Sequence, residues 1–165
     1  MILDVTHLCD RTFHDALDLF EGPVWASHSN CRTLVDDPRQ FSDEQILRLI
    51  ERGAVIGAAL DTWMLVPGWI RQVSTPEETG VKLDDVLDHT DHICQLAGNA
   101  DHVGIGSDLD GGFGTEQTPR DLKSIADLAN LADLLAARGY DSDATDKIFH
   151  GNFLRILREH WKEKP

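Results

Sequence analysis

The sequence predicts an α/β fold: four βα units plus closing C-terminal helices, half of a (β/α)8 TIM-type barrel. Two observations predict it. Short buried apolar runs alternate with amphipathic helical patterns in the order βαβαβαβα, which argues for parallel strands joined by right-handed crossovers. The unusual polar residues fall just after the apolar runs, where barrels and open α/β sheets carry their chemistry. Four units are half of an eight-stranded barrel. A flavodoxin-like open sheet is the alternative, and it would normally need a fifth strand.

The elements follow in order. Residues 2–5 read as a buried strand that ends in Thr6-His7. Thr12 and Asp15 form a capping-box-like pattern, Phe13, Ala16, Leu17 and Phe20 follow at helical spacing, and Gly22-Pro23 stops the helix. Residues 23–26 are a second strand, ending in Ser27-His28-Ser29-Asn30. A polar stretch with Arg32, Asp36, Asp37 and Arg39 leads to Ser42 and Gln45, a second capping box, which opens a helix on Ile46, Leu47, Leu49 and Ile50 that Gly53 closes. Residues 54–59 are a third strand. The irregular stretch 60–81 carries Trp63 and Trp69, which either wall a pocket or pin the loop to the body. A helix spans Leu83 to Leu96, with Gly98 at its end, and the fourth strand is 102–106. Pro119 at N1 is expected to start one long helix to Arg138, and two closing helices are expected over 142–149 and 152–161, with Phe153, Ile156, Leu157 and Trp161 facing inward.

Composition narrows the function. The 165 residues fit one domain, 1–165, and 41% hydrophobic residues suffice for one core. A formal charge of −14 argues against a nucleic-acid or anionic-membrane surface. No apolar run reaches the ~18 residues of a spanning helix, and the first residues do not read as a signal peptide. Cys9, Cys31 and Cys94 are odd in number and widely spaced, which suggests free thiols and a cytoplasmic location. No C-x-x-C is present for a cysteine zinc site.

The chemistry gathers around Val103-Gly-Ile-Gly-Ser-Asp-Leu-Asp-Gly-Gly112, a strand that runs into a Gly-rich turn carrying Asp108 and Asp110. An isolated acidic turn of this kind commonly bonds its own backbone. His7 and His28, each just past a strand, change the balance. Adjacent parallel strands lie ~4.8 Å apart, so two histidines at neighbouring strand ends can meet on one metal ion. His89-Thr-Asp91 spells the H-x-D of metal hydrolases but lies within a helical pattern. Gly104-Ile-Gly106 lacks the third glycine of a dinucleotide fingerprint, and no G-x-S-x-G is present. Ser27 and His28, as neighbours on a strand, are expected to point to opposite faces.

Seven segments together resemble a known family. Asp4-Val-Thr-His7, Ala26-Ser-His28-Ser-Asn, Pro38-Arg39-Gln-Phe-Ser-Asp43-Glu, Gly53-Ala-Val-Ile-Gly57, Asp91-His-Ile-Cys-Gln-Leu-Ala-Gly98, Val103-Gly-Ile-Gly-Ser-Asp108-Leu-Asp-Gly111 and Gly151-Asn-Phe-Leu-Arg155 are similar, in order and spacing, to the C-terminal half of the membrane (renal) dipeptidase family. These are zinc peptidases of the amidohydrolase-like barrel group. The resemblance implies that His7 and His28 hold the second zinc. It implies that Arg39 grips the carboxylate of a dipeptide substrate. It also implies that Asp108 contacts substrate and handles the proton of the attacking water.

The family pattern also contains parts this sequence lacks: a His-x-Asp pair for the first zinc, a bridging Glu, and a further histidine near the intermediate. Gln40 stands where an asparagine commonly follows the arginine. Three readings stay open. The chain is one half of a zinc dipeptidase, completed by a missing N-terminal half. Or it is a non-catalytic half-barrel that self-associates or scavenges metal. Or it is another barrel-type metal hydrolase.

Overall fold

A computed structural model describes residues 1–161. Four short parallel strands form its centre: β1 (Leu3–Asp4), β2 (Val24–Trp25), β3 (Ile56–Ala59) and β4 (Val103–Ser107). β1 pairs with β2 and β3 pairs with β4. A parallel bridge between Ala26 and Ile56 joins the two pairs, so the strands follow one another in chain order. Ala26 N–H donates to Val55 O and Gly57 N–H to Ala26 O, each at 2.9 Å. All four strands lie within the expected runs to within a residue, but the first three are shorter than expected. β3 is buried at every position, which suits a strand covered on both sides.

Helices pack their apolar faces onto the strands. α1 (Asp10–Leu19) buries Phe13 and Leu17, α2 (Asp43–Glu51) buries Ile46 and Leu49, and α4 (Leu83–Ala97) buries Leu83, Val86, Leu87 and Ile93. These side chains join Val24, Ala26, Ile56, Ala58 and Val103 in one core. A short α3 (Pro76–Thr79) precedes α4, and α5 (Asn130–Ala137), α6 (Ser142–Asp146) and α7 (Asn152–His160) follow β4.

Local chemistry sets the helix ends. Ser42 and Gln45 form the expected reciprocal capping box on α2. Gly98 closes α4 in the left-handed region at φ 71°, as its position suggests. Three expectations fail. α1 starts at Asp10 with Cys9 as its cap, because the Thr12 hydroxyl is engaged with Cys9 Sγ and does not cap. Trp161 is 77% exposed and not part of an inner face, whereas Ile156 is buried. Leu47 is also substantially exposed.

The long helix from Pro119 does not form either. Asp121 turns away to accept the N–H of Leu83, and Arg120 N–H donates to Val81 O, so this segment caps α4. The helical run starts later. Asp127 accepts the N–H groups of Lys123 and Ser124, and a 3-10 stretch, Ile125–Ala129, leads into α5. The closing helices are continuous. A π turn, Lys147–Gly151, joins α6 to α7, and the Asn152 amide donates to Ala100 O and Val103 O.

Two buried contacts fix the frame around the strand ends. A Cβ on Gly57 would stand 2.1 Å from Ser27 O, and one on Gly106 would stand 2.2 Å from the same oxygen. The strands can close on the end of β2 only because both positions lack side chains. His89 is fully buried in α4: its Nδ1 accepts from Cys31 N–H at 3.1 Å, and its Nε2 donates to Leu65 O at 3.1 Å. It therefore staples two loops to α4 as a neutral imidazole and lies in the core, as expected of a helical histidine.

Gly57→Ala is expected to lower the unfolding free energy by about 1–3 kcal/mol through overpacking, measured by urea denaturation. Burial depresses His89 to about 4. Below the ordinary value of 6.5, the unfolded chain takes up a proton that the folded chain refuses. The His89 contribution is thus fully present above about pH 6.5 and is lost as pH falls toward about 4, by roughly 3 kcal/mol at most. Over that window, the slope of stability against pH should be shallower in His89→Gln than in the parent chain.

Candidate active site

Each of the four strands hands the chain to a polar side chain within a few residues of its end: His7, His28, Asp61 and Asp108. His7, Asp61 and Asp108 line a cavity of about 900 Å³ together with Arg39, Trp63 and Arg71.

Asp4 organises the first two strand ends. One carboxylate oxygen accepts the N–H of Thr6 at 3.0 Å and the N–H of Ser27 at 3.1 Å, from β1 across to β2. Burial raises its pKa, but these hydrogen bonds and those of the Ser27 and Thr6 side chains outweigh it, and the net shift is downward. Asp4 therefore stays ionised and holds the two histidine-bearing turns together. His7 itself sits at φ 67°, a left-handed conformation that a non-glycine residue adopts only when its surroundings enforce it.

The two imidazoles meet. His7 Nε2 and His28 Nε2 are 3.1 Å apart, with the rings edge to face. Ser27 Oγ lies 2.9 Å from His28 Nδ1, which occupies that nitrogen and leaves Nε2 turned toward His7. The expectation that Ser27 and His28 point apart fails, because the backbone bends at these two residues, past the bridge at Ala26. Two nitrogens bound to one tetrahedral zinc at ~2.0–2.1 Å stand roughly 3.3 Å apart, so the pair fits two positions of such a shell. Among the described residues, no group of three or more His, Cys, Asp or Glu side chains is arranged to hold an ion.

Arg39 closes the site. Its guanidinium donates to His28 O at 2.9 Å and to Ser29 Oγ at 3.3 Å, and one nitrogen lies 3.4 Å from His7 Nε2. It does not bridge to Asp36 or Asp37; Asp37 accepts the Arg39 backbone N–H instead. Burial lowers the His7 pKa, and the charges of Arg39 and His28 add to the effect, against weaker opposition from Asp108 and Asp4. A neutral His7 is the form that ligates a cation.

Asp108 stands on the other side, with its carboxylate 3.8 Å from His28 Nε2. It too is left-handed, at φ 64°, following Ser107 at φ 33°. Gly111 packs against it closely: a Cβ there would lie 2.6 Å from Asp108 Oδ1. Asp110 is exposed and does not line the cavity. All four residues expected at the site, His7, His28, Arg39 and Asp108, are thus neighbours.

Asp61 is the site residue that the sequence reading passed over. The signal was present, since Asp61 is the second residue after β3 and Asp108 the first after β4, but the long loop after Asp61 masked the strand end. Its carboxylate is buried and accepts from Trp63 Nε1 at 2.6 Å and from the Gln117 amide at 2.8 and 2.9 Å. Burial raises its pKa, against the opposing pull of these bonds. Trp63 and Trp69 both line the cavity, and Trp69 also packs against the core.

A sequence model of the membrane dipeptidase family (peptidase family M19) matches residues 1–164. The chain belongs to this family. An uncharacterized dipeptidase of Schizosaccharomyces pombe is 34% identical over 164 residues, 99% of this chain and 36% of that protein. An uncharacterized Klebsiella pneumoniae protein from the pqqA 5' region is 32% identical over 163 residues, 99% of this chain and 56% of that protein. The crystal structure of a Rhodobacter sphaeroides metallo peptidase, liganded with a phosphinate mimic of the dipeptide L-Ala-D-Ala, superposes with a TM-score of 0.80 at 29% identity, covering 96% of this chain and 42% of that one. The chain therefore spans between about a third and just over half of the length of these family members.

The electrostatic account of His7 has a direct check. By nuclear magnetic resonance, the His7 imidazole of the metal-free chain should titrate below the ordinary 6.5, and in Arg39→Ala its pKa should move back up.

Proposed function

We propose that this chain carries the second-zinc and substrate-binding part of a dipeptide-hydrolysing metallopeptidase. The observation that carries the reading is the convergence of His7 and His28 at 3.1 Å beside Arg39, in a cavity at the strand ends of a dipeptidase-family chain. His7 and His28 would hold one zinc ion through their Nε2 atoms. When bound, zinc supplies Lewis acidity and lowers the pKa of water toward ~7.

The remaining roles belong to the chain's own groups. Arg39 offers a guanidinium fork to the free carboxylate of a dipeptide, a geometry that favours bidentate pairing. Its anchorage to His28 O and Ser29 Oγ keeps that fork close to the histidine pair, so the carboxylate and the scissile amide are held in fixed register. Asp108, across from His28, would accept the proton of the attacking water and pass it to the leaving amine. Asp4 holds the histidine turns in place and touches no substrate.

The architecture in this reading is four of the eight βα units of a barrel. Its support is the superposition over less than half of a solved family member and the strand order, which leaves β1 and β4 each paired on one side only among the described residues. Two histidines leave the shell incomplete, so the remaining ligands would come from outside residues 1–165: an N-terminal barrel half, on the same polypeptide or a separate one, or another copy of the chain. Unpaired, apolar strand edges favour such association.

A second reading, a non-catalytic partner that acts only by association, is favoured by the lack of a three-ligand group among the described residues. One preparation separates the two: measure zinc stoichiometry, dipeptide turnover and mass in solution. Alone, the chain should bind zinc weakly and turn over no dipeptide; with a complementing half, turnover should appear. In the complemented enzyme, Arg39→Ala should raise KM for dipeptides about tenfold or more and spare the zinc content. No turnover with any complementing half would leave the non-catalytic reading. A monomer with two tightly held zinc ions and robust turnover would overturn the shared-site account.

A further inference from the structure

The cavity holds a second guanidinium that the reaction described above does not use. Arg71 and Arg39 both line it. Arg39 is engaged by His28 O and Ser29 Oγ. Arg71 makes no hydrogen bond or ion pair with any described residue; its guanidinium carbon lies 4.2 Å from the centroid of the Trp63 ring. A cation–π contact positions the group and consumes none of its N–H donors.

The platform under Arg71 is braced. Trp63 Nε1 donates to Asp61 at 2.6 Å, and Asp61 in turn accepts from Gln117, which comes from the loop after β4. The Thr62 hydroxyl donates to Gln117 O at 3.2 Å, so the loops after β3 and β4 are tied side chain to side chain and side chain to backbone. The indole therefore cannot swing without breaking a buried charge-assisted bond. Three of the four carboxylates that line the cavity have hydrogen-bond partners of their own, and the fourth stands by a histidine. Asp37 accepts from Arg39 N–H, Glu116 from Gly114 N–H, Asp61 from Trp63 and Gln117, and Asp108 faces His28. None of the four is within ion-pairing distance of Arg71.

A neutral dipeptide has one carboxylate, and in the reading above Arg39 takes it. Arg71, attracted by Asp61 only at longer range, would then face such a substrate with its N–H donors unpaired. We infer that Arg71 is a specificity-determining residue that binds a second carboxylate, so that the substrates of this site are dipeptides with an acidic side chain. Trp63 and Asp61 are positioning residues that hold the guanidinium over the cavity. The inference rests on the dipeptide reading and narrows it to a chemical class.

The test compares isosteric dipeptides that differ only in charge. Ala-Glu against Ala-Gln, and Glu-Ala against Gln-Ala, are titrated calorimetrically into the zinc-supplemented chain together with its complementing half, with kcat/KM in place of affinity wherever turnover occurs. In at least one pair, the acidic member should bind about fivefold to tenfold more tightly, the range for a partly solvated ion pair. Arg71→Gln, on an exposed loop away from the core, should collapse that ratio toward unity. Trp63→Leu should lower the ratio as well, and a loss of stability alone would not move it. Equal binding of both members in the parent chain, or a preference that survives Arg71→Gln, overturns the assignment and leaves the dipeptide reading standing. Binding of none of the four peptides overturns both.

Discussion

The site depends on one close approach. The carbonyl of Ser27 lies where the side chains of residues 57 and 106 would be, and both are glycine. That contact brings the end of β2 against β3 and β4 at once. It sets where His28 begins and how far Asp108 stands from it. Larger residues at either glycine would wedge the strands apart by more than the hydrogen bonds between them could absorb, and the imidazole, guanidinium and carboxylate would no longer share one cavity. Asp4 acts on the other flank, tying the turn after β1 to the turn after β2 through a single ionised oxygen. Between them, a missing pair of side chains and one hydrogen-bonded carboxylate determine the geometry of four polar groups.

Charge is distributed to keep that geometry ready. Burial and the positive charge on Arg39 both lower the His7 pKa and so favour its neutral form, which limits repulsion between the paired imidazoles. His7 and Asp108 share a second property, a left-handed backbone, and each lies within three residues of a strand's end. Such conformations cost of order 1–3 kcal/mol each, and the packing of the strand ends offsets that cost. Away from the site, stability comes from more ordinary sources. Arg138 binds Asp84, Asp88 and Asp91 on α4, and Arg52 donates to the carbonyls of Leu17, Phe20 and Gly22 at the end of α1. His89 shows how alike the two roles look in sequence: a histidine two residues from an aspartate serves here as a neutral staple between loops.

Much of this was legible in the residues, and the failures have physical causes. The strands were legible because four apolar runs of the right length are separated by helical periodicity. Ser42 with Gln45 was legible because a capping box is a local interaction. Pro119 misled because the helix it should have started was pre-empted: Asp121 bonds Leu83, a partner 38 residues away that no local pattern reveals. Trp161 misled for the opposite reason. Helical spacing places it on the inner face, but α7 ends at His160, and the chain leaves the helix before the ring can reach the core.

The sequence by itself determined the order of the strands, the family, and the identity of His7, His28, Arg39 and Asp108, which the fold brings together. These depend on local periodicity and on motifs whose spacing survives without coordinates. Only the tertiary structure decided that Ser27 reaches His28, that Arg39 is anchored to the His28 carbonyl and not to its neighbouring acids, and that Asp61, Trp63 and Gln117 join two loops over the cavity. Those facts depend on which segments the packing brings side by side. A hydrogen bond between residues 56 positions apart leaves no period in the sequence to be read.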